Sequence, residues 1–149
     1  MILSFTIPGA PPSPNRRAAT TRGRMASVKA QREKAYLCAV TARNTMPGDF
    51  EGFACPARIT FTVYRHRLLD PSINLPASLK ATQDGICRAL LPLGDGPESP
   101  YLWEFRQVKI RSKSDERVDV RIEKALRQIA PRLLAALEIA VEALEKARR

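Results

Sequence analysis

The sequence predicts an α+β fold in which a small mixed, partly antiparallel sheet packs with two helices and is followed by a C-terminal amphipathic helix. Strand-like alternation of apolar and polar residues and helix-like apolar spacing take turns along the chain. The 149 residues are enough for one compact domain with a buried core. Hydrophobic residues make up 44% and charged residues 27%, which excludes a wholly disordered chain and a coiled-coil rod.

The expected order of elements is strand, helix, strand, helix, strand, strand, helix. The expected strands are residues 2–7, 57–64, 101–110 and 117–122, and the expected helices are residues 27–44, a segment that starts near residue 76, and residues 123–149. Ser27 should cap the first helix, and Pro76 suits the first turn of the second. Only a polar turn separates the last two strands, so we expect them to pair as a hairpin.

The C-terminal segment, residues 123–149, is rich in Ala and Leu and carries apolar residues at spacings of three and four. One interpretation is a helix for dimerisation or for a partner protein. The other is a helix that packs on the protein's own sheet. The chain is therefore divided into a domain over residues 1–122 and a helical extension over residues 123–149.

The chain is strongly basic. It has 25 Lys and Arg residues against 15 Asp and Glu residues, a net charge of +10, which favours a polyanionic partner, nucleic acid first. The basic residues are concentrated between Asn15 and Lys34. No apolar run reaches the length of about 18 residues that would suggest a membrane span. The N-terminus also lacks the pattern of a signal peptide, so we expect no membrane association and a cytoplasmic protein.

The few acidic residues include candidates for a metal site. Asp70 follows the second strand, Asp95 lies in a glycine-flanked turn, and Lys80 and Asp84 share a helix face at i, i+4 spacing. Mg²⁺, or Mn²⁺ in its place, binds carboxylate oxygens, and a lysine can neutralise charge on a scissile phosphate. In the alternative interpretation, Lys80 and Asp84 form a surface ion pair and the other two aspartates are turn formers.

A series of short motifs, in order over residues 3–122, resembles the RusA-like Holliday-junction resolvases, which are small endodeoxyribonucleases of phages and prophages. The motifs are Phe5-x-Ile7-Pro8-Gly9-x-Pro11-x-Ser13-x-Asn15-Arg16, Arg22-Gly23-Arg24, Asn74-Leu75, Lys80, Asp84-Gly85, Gly94-Asp95 and Trp103-x-Phe105-x-Gln107.

The resemblance implies a homodimer that binds a four-way DNA junction and nicks two opposing strands with Mg²⁺. It implies a catalytic set that consists of Asp70, Lys80, Asp84 and Asp95, with the three aspartates as metal ligands. It implies DNA contacts by Asn15, Arg16, Arg22, Arg24 and Asn74, since guanidinium groups suit phosphates.

The chain departs from the family's Asp-x-Asp-Asn motif. The positions of its two aspartates hold Pro71 and Ile73, whose side chains cannot bind a cation, and Asp70 is out of register by one residue. One hypothesis is a metal site rebuilt from Asp70, Asp84, Asp95 and Glu98. The alternative is a catalytically weak or inactive relative that binds branched DNA or a protein partner. An RNA-binding module is the least favoured hypothesis, because the sequence has no aromatic RNA-stacking motif.

Overall fold

The computed structural model describes residues 1–14, 21–48, 50, 52–53, 56–94, 96 and 99–125. Within them the fold is α+β, as expected, with four strands and two α-helices. The elements are β1 (Ile2–Pro8), α1 (Thr21–Asn44), β2 (Ala57–Arg65), α2 (Asn74–Leu90), β3 (Tyr101–Lys109) and β4 (Arg117–Lys124), with a short 3-10 turn (Lys113–Asp115) before β4. The C-terminal helix expected after residue 125 lies outside these ranges.

The strands form a mixed sheet in the order β1-β4-β2-β3. β4 is antiparallel to both of its neighbours, β1 and β2, whereas β3 pairs in parallel with β2 at the edge. The expected hairpin between the last two strands is therefore wrong. The inward residues of β4, Val118, Val120 and Ile122, are almost completely buried. β4 can bury these residues because it lies between β1 and β2, whereas the edge strand β3 is only partly covered.

One face of the sheet and both helices share a single hydrophobic core. The inward residues of β2, Ile59, Phe61 and Val63, have no exposed surface. Ala39 of α1 and Ile86 of α2 belong to the same cluster. Neither helix in the described part of the chain has the length and apolar character needed to cross a membrane.

The start of α1 and the end of β4 differ from the expectation by more than one residue, whereas α2 begins close to its expected position. α1 begins at Thr21 and not at Ser27. The sequence did not indicate this start, because the first turns of the helix are exposed and carry no apolar stripe. α2 begins at Asn74, with Pro76 in its first turn as expected. β4 continues to Lys124, so residues 123 and 124 belong to the sheet and not to a C-terminal helix.

The two helices cross closely at Gly85. A Cβ atom at this position would clash with the carbonyl oxygen of Arg32 and would lie 2.9 Å from the Cβ of Ala35, both in α1. A buried hydrogen bond of 3.2 Å from Gln31 Nε2 to Thr82 Oγ1 also joins the helices. Because Gly85 has no side chain, α1 and α2 can pack closely at this point.

We expect Gly85→Ala to lower the free energy of unfolding by about 1–3 kcal/mol, because the added methyl group pushes two packed helices apart. Urea denaturation measures this change. Gly96→Ala is the control, since a Cβ there would have nothing within 4 Å. Equal stability of the two variants would show that the helices are not in close contact at Gly85.

Candidate nucleic-acid interface

The N-terminal half of α1 is an exposed basic helix. Every residue from 21 to 30 is exposed, and this segment carries Arg22, Arg24 and Lys29. Two apolar side chains, Met25 and Val28, are 70% and 45% exposed on the same segment. We call residues 21–32 the basic half of α1. Asn15 and Arg16, the other expected DNA contacts of this region, lie outside the described residues.

A groove of about 740 Å³ lies between the basic half of α1, helix α2 and the N-terminal loop of residues 9–14. It brings together Arg24, Lys80 and Asp84, three of the site residues predicted from the sequence. Lys80 Nζ lies 3.2 Å from Asp84 Oδ1, and both side chains are more than a third exposed. The groove therefore presents two cations, one of them in an ion pair that solvent and other ions can reach.

Asp70 lies at the amino end of α2. Its Oδ1 accepts hydrogen bonds from Ser72 Oγ at 2.8 Å, Ile73 N at 2.8 Å and Ser72 N at 3.0 Å. The hydrogen bond from the Ser72 hydroxyl, then that from the Ile73 amide, lower the pKa of this exposed carboxyl. The negative charge also suits a helix amino end. Asn74, another expected DNA contact, is the first residue of α2.

The described residues do not form the expected metal cluster. Asp70 is bonded to the amino end of α2, whereas Asp84 lies almost three turns further along, about 15 Å at 1.5 Å per residue. Mg²⁺ binds oxygens at about 2.1 Å, so one ion cannot bind both carboxylates. In the described part of the chain, no three His, Cys, Asp or Glu side chains could hold a metal ion together. Asp95 and Glu98 lie outside that part.

Arg65, which was not selected from the sequence, fixes the N-terminal loop. Its side chain is buried at the end of β2. Nη1 donates to the carbonyl oxygen of Pro11 at 2.7 Å, and Nε donates to that of Arg67 at 3.2 Å. Burial lowers the pKa of the guanidinium, and the negative charge of Glu116 opposes this effect. The sequence could have indicated that Arg65 is buried, because inward and outward residues alternate along β2 and Arg65 follows the inward Val63 by two positions.

Gln107 of β3 has a similar role for the segment that leads to Asp70. Gln107 Nε2 donates to the carbonyl oxygen of Leu69 at 2.7 Å, and Leu69 N donates to Gln107 Oε1 at 3.0 Å. This pair of bonds attaches the chain just before Asp70 to the carboxyl end of β3. The sequence had marked Gln107 only as part of the family resemblance.

The face of the sheet away from the helices is also charged, but its charges are paired. Arg58 lies 3.2 Å from Glu104, and Arg106 contacts the same carboxylate at 3.2 Å. Two further ion pairs on this face are Arg117 with Asp119 at 3.4 Å and Arg121 with Glu123 at 3.1 Å. This open face is therefore close to neutral, unlike the basic half of α1.

Comparison with known proteins gives no match to a protein-family model and none to a curated protein. Function must therefore be inferred from the residues and their geometry.

The pKa of Asp70 predicts a pH-dependent stability. The folded carboxyl has a lowered pKa, so its stabilising effect is present above the unfolded pKa and is lost as the pH falls through the folded value. We expect wild type to be more stable than Asp70→Asn at neutral pH, and the gap in urea midpoint to close in acid. A gap that does not change with pH would show that the charge of Asp70 has no effect on α2.

We expect Gln107→Leu to lower the free energy of unfolding by about 1–2 kcal/mol, because it removes two hydrogen bonds. Hydrogen exchange of the Leu69 amide should also become faster. Val108→Ala, which changes an exposed side chain of the same strand, is the control and should leave that amide unchanged. Unchanged exchange in Gln107→Leu would mean that something else holds the segment before Asp70.

Proposed function

We propose that this protein binds DNA through the basic half of α1 and the adjacent groove, with the four-way junction as its preferred form. The observation that carries the proposal is the groove itself, which brings Arg24 and Lys80 together beside an exposed basic helix. The forked guanidinium and the ammonium group both bind phosphate oxygens. The net charge of +10 supports attraction to DNA over longer distances.

Contacts of this kind read the DNA backbone and its shape. They position a protein on DNA, and they give little sequence preference. The preference for a junction comes from the resemblance to the RusA-like family, and a homodimer would offer two equivalent grooves to a two-fold junction. None of the described residues that line the groove is aromatic, which disfavours single-stranded RNA. We further propose that the protein acts on its DNA in the cytoplasm of a bacterial or phage-infected cell.

Cleavage is a separate question. The family resemblance implies Mg²⁺-dependent hydrolysis, but Asp70 and Asp84 are too far apart to share one ion. Junction cleavage therefore stays a prediction, and its remaining candidate ligands include Asp95 and Glu98.

The test is equilibrium binding of a labelled four-way junction and of a linear duplex with the sequence of one arm, at several salt concentrations. We expect tighter binding of the junction. The Arg22→Gln/Arg24→Gln variant should bind both DNAs more weakly. Its plot of log affinity against log salt should have a slope smaller in magnitude by about two, because two phosphate contacts are lost.

A control variant, Arg106→Gln/Lys124→Gln, removes the same charge from exposed positions of β3 and β4. It should bind like wild type. Equal weakening of the two variants would exclude the basic half of α1 as the interface, and a wild-type protein that binds no DNA would contradict the proposed function.

The same samples, incubated with Mg²⁺, Mn²⁺ or EDTA, test cleavage. Paired metal-dependent nicks in the junction alone would establish the nuclease that the resemblance implies. Binding without nicks would identify a DNA-binding relative without this activity under the conditions tested.

A further inference from the structure

Basic residues also gather at the edge of the sheet where β2 and β3 end and β4 begins. We call this the carboxyl-edge surface, and its exposed cations are Arg67, Lys109, Arg111 and Lys113. A hydrogen bond of 3.0 Å from Ile110 N to the Arg65 carbonyl oxygen joins the two strand ends. Another, of 3.1 Å from His66 N to Glu116 Oε1, joins the end of β2 to the segment before β4. The four cations therefore extend from one hydrogen-bonded framework.

The cations of the carboxyl-edge surface differ from those of the open sheet face. The arginines of the open face form ion pairs with Glu104, Asp119 and Glu123. The four carboxyl-edge cations form no ion pair with a carboxylate among the described residues. Of the acids at this edge, Asp115 accepts a hydrogen bond from Ser114 Oγ at 3.0 Å, and Glu116 accepts the one from His66. Asp70 follows the segment that Gln107 holds at the end of β3, so four cations against three acids leave the edge positive.

The N-terminal loop connects this surface to the groove. At one end, Gly9 N donates to the Glu116 carbonyl oxygen at 2.8 Å, and Arg65 holds Pro11. At the other end, residues 12–14 line the groove beside Arg24. An extended chain covers at most about 3.6 Å per residue, so the loop from residue 9 to residue 14 spans less than about 20 Å. This distance equals roughly six base pairs along duplex DNA, at 3.4 Å each.

We propose that the carboxyl-edge surface is a second phosphate-binding surface, which contacts the backbone of the same DNA that occupies the groove. The inference rests on the proposed function and extends it, because it adds a surface that neither the charge-rich N-terminal segment nor the family motifs include. The partner is the phosphodiester backbone of double-stranded DNA, since exposed Lys and Arg without a base-reading helix recognise charge and not sequence.

The test compares junction binding by Arg111→Gln/Lys113→Gln with binding by the control Arg106→Gln/Lys124→Gln, which has the same net charge. We expect weaker binding by the edge variant and a salt slope smaller in magnitude by about two, with the control like wild type. A combined variant that also carries Arg22→Gln and Arg24→Gln should lose about four units of slope, because the two surfaces contact different phosphates.

Two results would overturn the proposal while leaving the proposed function intact. In one, the edge variant binds like the control while Arg22→Gln/Arg24→Gln weakens binding. In the other, the combined variant has the same slope as Arg22→Gln/Arg24→Gln alone. Thermal unfolding of every variant is measured as a check that the native fold is kept. If wild type binds no DNA at all, the proposed function fails, and this inference fails with it.

Discussion

The buried guanidinium of Arg65 fixes the loops on which both basic surfaces depend. It lies at the end of β2 and donates to the carbonyl oxygens of Pro11 and Arg67. A charged group in the protein interior is unfavourable without partners, so these bonds and the nearby charge of Glu116 compensate for lost hydration. The chain continues from Pro11 towards α1 and from Arg67 towards Asp70 and α2. Arg65 thus bonds both segments to the sheet, together with the Gly9–Glu116 and Leu69–Gln107 hydrogen bonds.

Surfaces of similar amino-acid composition differ in net charge, because only some of them pair their cations with carboxylates. Exposed ion pairs add little to stability, so the pairing on the open sheet face is better understood through the surface potential that it leaves. That face becomes close to neutral, as at Arg58 with Glu104 and Glu123. Among the described residues, exposed cations without a paired carboxylate then lie on the basic half of α1 and on the carboxyl-edge surface. The net charge of the chain could not distinguish the paired open face from the two basic surfaces, because it does not depend on where the carboxylates lie in the fold.

Periodicity in the sequence predicted the α+β class and the mixed sheet, and the clustering of basic residues marked the N-terminal half of α1. The central position of β4 could not be predicted, because strand order depends on contacts between distant segments. The expected helix start at Ser27 was wrong. Helix α1 already begins at Thr21, and its exposed first turns show no apolar periodicity that the sequence could reveal. Asp70 and Asp84 were expected to converge, although helical rise alone separates them. Gln107 acts through a contact with Leu69 that no local pattern contains.

Lysine acetylation of the free protein and of its complex with a four-way junction, read out residue by residue by mass spectrometry, tests the DNA path most directly. Lys29 lies on the basic half of α1, Lys109 and Lys113 lie on the carboxyl-edge surface, and Lys124 lies at the end of β4 away from both. Bound DNA should protect the first three lysines and leave Lys124 reactive. Protection of Lys124 with continued reactivity of the other three would contradict the proposed interface.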